Sequence, residues 1–313
     1  MVLKNKTMKS IITALLIMIC HLGYSQGTNT FVFRVLANKG DNQVEKAEDG
    51  KKVYLRPGLT LMQGDQIIAS KGAYIGLMHR TGKTIELRTP GITRITDLET
   101  HLANSKSTIA SKYANYILAK INDEGDNRSY RAKMKATGAV ERSSSTAISA
   151  MLPSSVDILN PSAVIRWNSV GEKSNYIITI KNIFDEELIS AETNKPYIQI
   201  NLDDENLANE DLIILNIKVK DSPDLFSPDY GIERLSEERK ADVIATLSQL
   251  KAEVSGDTPL GKLVFASFFE DNSLILDALT QYEEIMEQAP EVEDFKMLYG
   301  EFLIRNGLSK IEE

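Results

Sequence analysis

Apolar positions in the first hundred residues recur in short alternating runs, the pattern of half-buried strands. Phe31-Val32-Phe33-Arg34-Val35-Leu36 opens the series, and Val53-Tyr54-Leu55 follows a turn at Asp49-Gly50. Gly58, Gly64, Gly72, Gly82 and Gly91 punctuate at the intervals that turns between short strands require. Residues 73–79 and 84–88 flank Arg80-Thr81-Gly82-Lys83, a hairpin signal. A two-residue turn would set Met78 opposite Ile85, and a three-residue turn would set Leu77 opposite Leu87; the larger apolar pair favours the second. The period then changes. Ile109, Tyr113, Tyr116, Ile117 and Ile121 predict an amphipathic helix from about Asn104, packed on the preceding β module, with a membrane-surface helix as the alternative. Periodicity fades over residues 122–155, where Glu124-Gly125-Asp126-Asn127, Ser143-Ser144-Ser145-Thr146 and Pro153-Ser154-Ser155 read as linker. Five alternating runs follow, at residues 163–167, 176–183, 187–191, 197–202 and 212–219, and predict a small β-sandwich with Trp167 in its core. From Ser236 the period is helical. Ser236 is a natural N-cap, Glu237 and Glu238 fill the first turn, and Val243, Ile244, Leu247, Leu250 and Val254 mark a buried face.

These patterns predict a multidomain chain, β then α. Its parts are residues 1–25 as a signal segment, 26–98 as an all-β module, 99–121 as the amphipathic helix, 122–155 as linker, 156–221 as the sandwich and 222–313 as a helical segment. The leader reading rests on Lys4, Lys6 and Lys9 before an apolar run from Ile11 to Leu22 that is short for a membrane span. Gly23 and Ser25 place cleavage between Ser25 and Gln26; an uncleaved signal-anchor is the competing reading. Cys20, the one cysteine of the 313 residues, falls in the removed part, so no disulfide framework is expected.

Charge is uneven. Residues 26–98 carry 11 basic and 7 acidic side chains, whereas residues 222–313 carry 8 and 20, within a whole-chain net charge of −8. An acidic balance argues against a nucleic-acid backbone as partner. Arg128, Arg131, Lys133, Lys135 and Arg142 read as a solvated linker rather than a contact patch, because no aromatic pattern accompanies them beyond Tyr130.

Four resemblances add to this reading. The string Leu55-Arg56-Pro57-Gly58-Leu59-Thr60-Leu61-Met62-Gln63-Gly64-Asp65-Gln66-Ile67-Ile68, with Gly72-Ala73-Tyr74-Ile75-Gly76-Leu77 and Gly82-Lys83-Thr84-Ile85-Glu86-Leu87, resembles a FecR-like domain over about 70 residues. The resemblance implies an all-β envelope module associated with binding and sensing, with no catalytic residues to carry over. Family members that regulate sigma factors carry a cytoplasmic segment and a membrane span before this domain; here the cleavable signal stands in their place. Pro161-Ser162-Ala163-Val164-Ile165-Arg166-Trp167, followed by Tyr176-Ile177-Ile178-Thr179-Ile180, is similar to the opening of fibronectin type III or Ig-like modules. Ala266, Phe269, Ala278, Tyr282, Ile285 and Pro290, with Gly300 and Leu303 each 34 residues after Ala266 and Phe269, resemble one and a half tetratricopeptide-type repeats. So few repeats are expected to lean on the sandwich, on the Ser236 helix or on another chain. The Tyr24-Ser25-Gln26 junction resembles exported proteins of Gram-negative bacteria and implies a periplasmic protein.

Candidate chemistry is sparse. Asp203-Asp204-Glu205 lacks the spacing of a calcium loop. Gly256-Asp257-Thr258-Pro259-Leu260-Gly261-Lys262 fits phosphate-loop spacing, but Leu263 replaces the magnesium-binding hydroxyl and a helix precedes the loop; a helix end at Gly256 and a new start capped by Thr258 explain each residue better. His79 and His101 are the only histidines beyond the leader. No catalytic, cofactor-binding or metal-binding residue and no cofactor are expected. The expectation is a non-enzymatic envelope protein acting through protein or ligand binding as sensor, adaptor or assembly factor. A FecR-type signalling regulator is the alternative, and a carboxylate-based hydrolase the second. Its contact surface, for a basic patch or peptide, is expected on the C-terminal helices, where Phe265, Phe268 and Phe269 need a neighbour and Glu283, Glu284, Glu287, Glu291, Glu293 and Asp294 would rim the contact. The alternative is that these phenylalanines pack against the chain's own sandwich and the acids only keep it soluble. After leader removal no membrane span is expected, and oligomeric state is left open.

Overall fold

The computed structural model describes residues 31–100, 102, 108–122, 148–171 and 174–308. The signal segment, the basic cluster between Arg128 and Arg142, and His101 lie outside the described residues.

The first module is built from eight short strands: β1 (Phe33–Lys39), β2 (Gln43–Glu45), β3 (Lys52–Tyr54), β4 (Thr60–Leu61), β5 (Gln66–Ala69), β6 (Tyr74–His79), β7 (Thr84–Leu87) and β8 (Gly91–Arg94). They form two four-stranded antiparallel sheets, in the orders β4-β1-β6-β7 and β3-β2-β5-β8. Phe33, Val35, Val44, Leu61, Ile67, Ile75, Leu77 and Ile95 fill the space between them. The Gly64-Asp65 pair of the glycine-rich string has a structural task. The buried Asp65 carboxylate accepts from the Ala47 and Met62 amides at 3.0 and 2.9 Å and from Lys46 at 2.7 Å, tying the turn before β5 to the β2–β3 loop. A short helix, α1 (Ile95–Thr100), closes the module.

The β6–β7 hairpin departs from both expected registers. Its loop has three residues, but Leu77 faces Ile85 and Ile75 faces Leu87. The reason is local. Gly82 adopts a left-handed φ of 91° and donates to the His79 carbonyl at 2.8 Å, while the His79 amide reaches the Lys83 carbonyl, so pairing starts at His79 and Lys83.

The sandwich is larger than expected. Its strands are β9 (Ser155–Ile158), β10 (Ser162–Arg166), β11 (Tyr176–Lys181), β12 (Glu187–Thr193), β13 (Tyr197–Asn201), β14 (Leu212–Val219), β15 (Ser222–Phe226) and β16 (Tyr230–Arg234). β10 and β13 form one sheet; β12-β11-β14-β16-β9 form the other, with β15 on β14 and β9 parallel to β16. Sheet structure thus runs on to Arg234 rather than stopping at Asp221, because Ile213 and Ile232 continue the inward alternation side by side. It also begins inside the expected linker. Ala150 bridges to Trp167 in the first sheet, and past Pro153 the chain crosses to the second as β9. Trp167 lies in the core, edge-on to Tyr176 at 5.3 Å.

Five further helices complete the fold: α2 (Thr108–Asn122), α3 (Glu237–Glu253), α4 (Pro259–Asp271), α5 (Ile275–Gln288) and α6 (Glu293–Arg305). Ser236 and Thr258 cap α3 and α4, accepting from the Arg239 and Gly261 amides. Helix α2 turns its apolar face mainly to the C-terminal helices: Tyr113 packs edge-on to Phe268 at 5.4 Å and Lys112 pairs with Asp271. Its first turn meets the β module at Gly82.

The C-terminal helices form a layer between the two β modules. Leu260 meets Gly76 on β6, and Phe295 lies edge-on to Tyr74 at 5.4 Å on the outer face of the β1–β6 sheet. On the other side α5 packs against β9 and β10. Phe265, Phe268 and Phe269 are buried within this one apolar cluster, so the neighbour they require is the chain itself.

Candidate interaction surfaces

Five of the six acids expected to rim a partner contact are paired within the chain, and Glu287 is exposed. Glu283 receives a two-pronged bond from Arg166 of β10, and Glu284 pairs with Lys262 of α4. Glu291 pairs with Lys39, the Asp294 carboxylate accepts from the Asn38 amide at 2.8 Å, and Glu293 pairs with Lys296. The buried Asp277 accepts from the amides of Leu159 and Asn160 at 3.0 and 3.1 Å and from the Asn160 side chain, so it fixes the β9–β10 loop on α5. Burial pushes its carboxyl above the usual range, and those hydrogen bonds oppose the shift.

Nothing at the phosphate-loop spacing forms an open cradle. A Cβ at Gly261 would overlap the Ser255 carbonyl oxygen, Gly256 lies against the Phe265 ring, and Lys262 is engaged by Glu284. Among the described residues, no three His, Cys, Asp or Glu side chains stand together as metal ligands, and no helix is long and apolar enough to cross a membrane. His79 is buried beside Phe33. Its Nδ1 lies 2.7 Å from the Thr81 hydroxyl, and its Nε2 lies 3.7 Å from a Glu99 carboxylate that Arg80 already holds at 2.6 Å. A cleft of about 380 Å³ opens between the β9–β10 loop and the start of α3. Arg234 on its wall is spent on backbone: it donates to the carbonyls of Glu210, Leu202 and Leu207.

Two exposed apolar features stand on rigid supports instead. The first is the outer face of the β3-β2-β5-β8 sheet. Register places Tyr54, Gln43, Ile68 and Ile92 in one row across all four strands, with Tyr54 64% and Ile92 69% exposed. The next row is Lys52, Glu45, Gln66 and Arg94, and Arg56 is exposed two residues beyond Tyr54. A half-exposed aromatic and aliphatic row beside cationic groups is what a protein contact needs and a solvated sheet does not.

The second is the β11–β12 hairpin tip, where Ile183 and Phe184 are 58% and 77% exposed. Buried Asn182 holds the tip: its side-chain oxygen accepts from the Phe184 and Glu186 amides at 3.0 and 3.1 Å, and its amide nitrogen donates to Glu186 at 2.8 Å. Lys181 pairs with Asp185 beneath it. Neither feature was singled out from the sequence. The signals were present: Lys52, Tyr54 and Arg56 alternate with Val53, itself partly exposed at the sheet edge, and buried Leu55, and two large apolar residues sit inside the polar turn Asn182-Ile183-Phe184-Asp185.

No family model matches the chain, and no curated protein matches it significantly. The FecR, fibronectin and tetratricopeptide likenesses therefore stand on the residues that carry them.

Proposed function

We propose that this chain is a non-enzymatic envelope protein that binds an acidic protein surface through the outer face of its first β module. The observation that carries the reading is the Tyr54–Gln43–Ile68–Ile92 row, exposed on a sheet whose inner face is packed. Arg56 and Arg94 around it, with Lys52 already beside Glu45 at 3.7 Å, select for acidic partners and raise the association rate, while the row itself supplies the buried centre. This departs from the expected contact on the C-terminal helices, whose apolar side chains are already covered. The FecR likeness of residues 55–87 supports a binding or sensing module, and β9 parallel to β16 beside a separate β10–β13 pair supports the Ig-like reading of the sandwich. The lysine-flanked apolar leader supports export to the periplasm, with cleavage before Gln26.

The test is affinity capture of the exported protein from its native envelope, with wild type and a Tyr54→Ser/Ile92→Ser variant side by side. Both side chains are exposed, so the variant should unfold at nearly the wild-type temperature. Partner recovery should fall about tenfold or more, as loss of two anchors implies. Undiminished recovery of the same partners would remove this face from consideration.

A further inference from the structure

The longer sheet of the sandwich ends in a strand with nothing on its far side. β12 runs seven residues, Glu187–Thr193, and pairs with β11 alone among the described strands. Natural edge strands are guarded by proline, lysine, shortness, inward charge or a bulge. Glu-Leu-Ile-Ser-Ala-Glu-Thr has no proline and no lysine, and its irregularity is confined to its start, where pairing steps from Ile180–Ile189 to Lys181–Glu187 past Leu188. From Ile189 on the register is regular, and the inward positions Ile189, Ala191 and Thr193 sit opposite Ile180, Ile178 and Tyr176. The opposite edge of the sheet, β9, is covered by α5.

We propose that β12 pairs antiparallel with β12 of a second copy of this chain, joining two sheets across a two-fold axis near Ser190. The occupant follows from what stands at the two ends of the strand. At its start is the Ile183–Phe184 tip, with Asp185, Glu186 and Glu187 exposed around it. At its end is half-exposed Tyr197, with Lys195 stacked 5.4 Å from the ring centroid. Antiparallel pairing of two identical strands necessarily lays the start of each beside the end of the other. The acidic apolar tip of one copy then meets the basic aromatic turn of its partner, twice. One surface thus carries both complementary halves, which a closed two-fold contact requires.

Centring on Ser190 sets Ile189 opposite Ala191 within the regular stretch, and it brings Glu192 and Thr193 of each copy to the irregular start of the other at Glu187 and Leu188. The inward row Ile189-Ala191 then extends the core face across the junction.

Sedimentation velocity of the purified chain over a range of concentrations tests this. Wild type should show a reversible monomer–dimer equilibrium. Ser190→Lys and Ser190→Glu each place like charges opposite each other at the axis and should weaken dimerisation about fivefold or more. An equimolar mixture of the two variants should restore it as a heterodimer. Phe184→Ser, at an exposed position, should weaken it about tenfold. Hydrogen exchange on wild type gives a second readout: β12 amides should gain protection as concentration rises, and β9 amides should not. A chain that stays monomeric at every concentration overturns the proposal. So does a dimer that both Ser190 variants leave intact. Either result leaves the Tyr54–Ile92 surface standing, since that face belongs to the other module.

Discussion

At the scale of single residues, the buried polar groups explain more than the exposed ones. Burial holds the His79 imidazole below its ordinary pKa, and the Arg80 cation adds to the shift. Glu99 on its other side favours the charged form but is shared with Arg80, and Lys83 opposes it. The sign of the pH dependence follows. Above the ordinary histidine range both folded and unfolded chains carry a neutral ring. As pH falls through about 6.5 the unfolded chain takes up a proton that the native site still refuses, so stability drops until the native pKa is passed. Urea unfolding between pH 8 and pH 5 should show a steeper loss for wild type than for His79→Gln; equal slopes would mean that His79 titrates alike in both states. Asp277 gives a larger effect at fixed pH. Asp277→Ala leaves the Leu159 and Asn160 amides without their acceptor, and at about 1–3 kcal/mol per buried unsatisfied group the loss should be on the order of 2–4 kcal/mol. Sequence could not show this role, since an acid on α5 looks like any other until a loop 117 residues away is placed on it.

At the scale of elements, the longer strands, the helices and their caps were legible, because each rests on local period and local hydrogen bonds, whereas β9, β15 and β16 were missed. Ser236 and Thr258 cap the helices they were expected to cap, and Trp167 lies in the core. Register and partner choice were not legible, because they rest on backbone detail and distant contacts. The β6–β7 hairpin illustrates this: apolar size favoured Leu77 opposite Leu87, but the left-handed Gly82 sets the pairing, and Leu77 faces Ile85. The same glycine couples the hairpin to α2. A Cβ there would lie 2.4 Å from the Ser111 amide nitrogen and 2.8 Å from the Ala110 carbonyl carbon, backbone atoms that cannot swing aside. Gly72 has a similar positive φ, with nothing within 4 Å of the same position. Gly72→Ala should therefore cost only the left-handed penalty of about 1–2 kcal/mol, and Gly82→Ala at least twice as much. Equal urea-derived losses would mean that α2 does not rest on the hairpin.

At the scale of the whole molecule, two β modules are held by a helical layer rather than joined by a linker alone. The charge asymmetry along the sequence is part of this. Lys39 and Arg166, from the two β modules, both find their acids on the C-terminal segment, at Glu291 and Glu283. Sequence left a surface for another protein and packing within the chain both open, because a run of acids beside phenylalanines looks the same whether its complement is internal or external. Magnitudes separate the two kinds of contact. The Lys39–Glu291 pair is exposed on both sides and should contribute less than about 1 kcal/mol. Phe295 is fully buried against Tyr74, and removing such a ring costs about 3–5 kcal/mol. The first module also keeps a core of its own between its sheets, so losing the helical contact need not unfold it. Calorimetry of Phe295→Ala should then show the single wild-type transition shifted down or split in two, with the first module melting apart from the remainder. A Lys39→Ala/Glu291→Ala variant should melt within a few degrees of wild type, and added salt should move neither result by much, because apolar burial is not screened. If the charge-pair variant melts far below the phenylalanine variant, the helical layer is held to the first module by electrostatics, and the order of the two contributions is reversed.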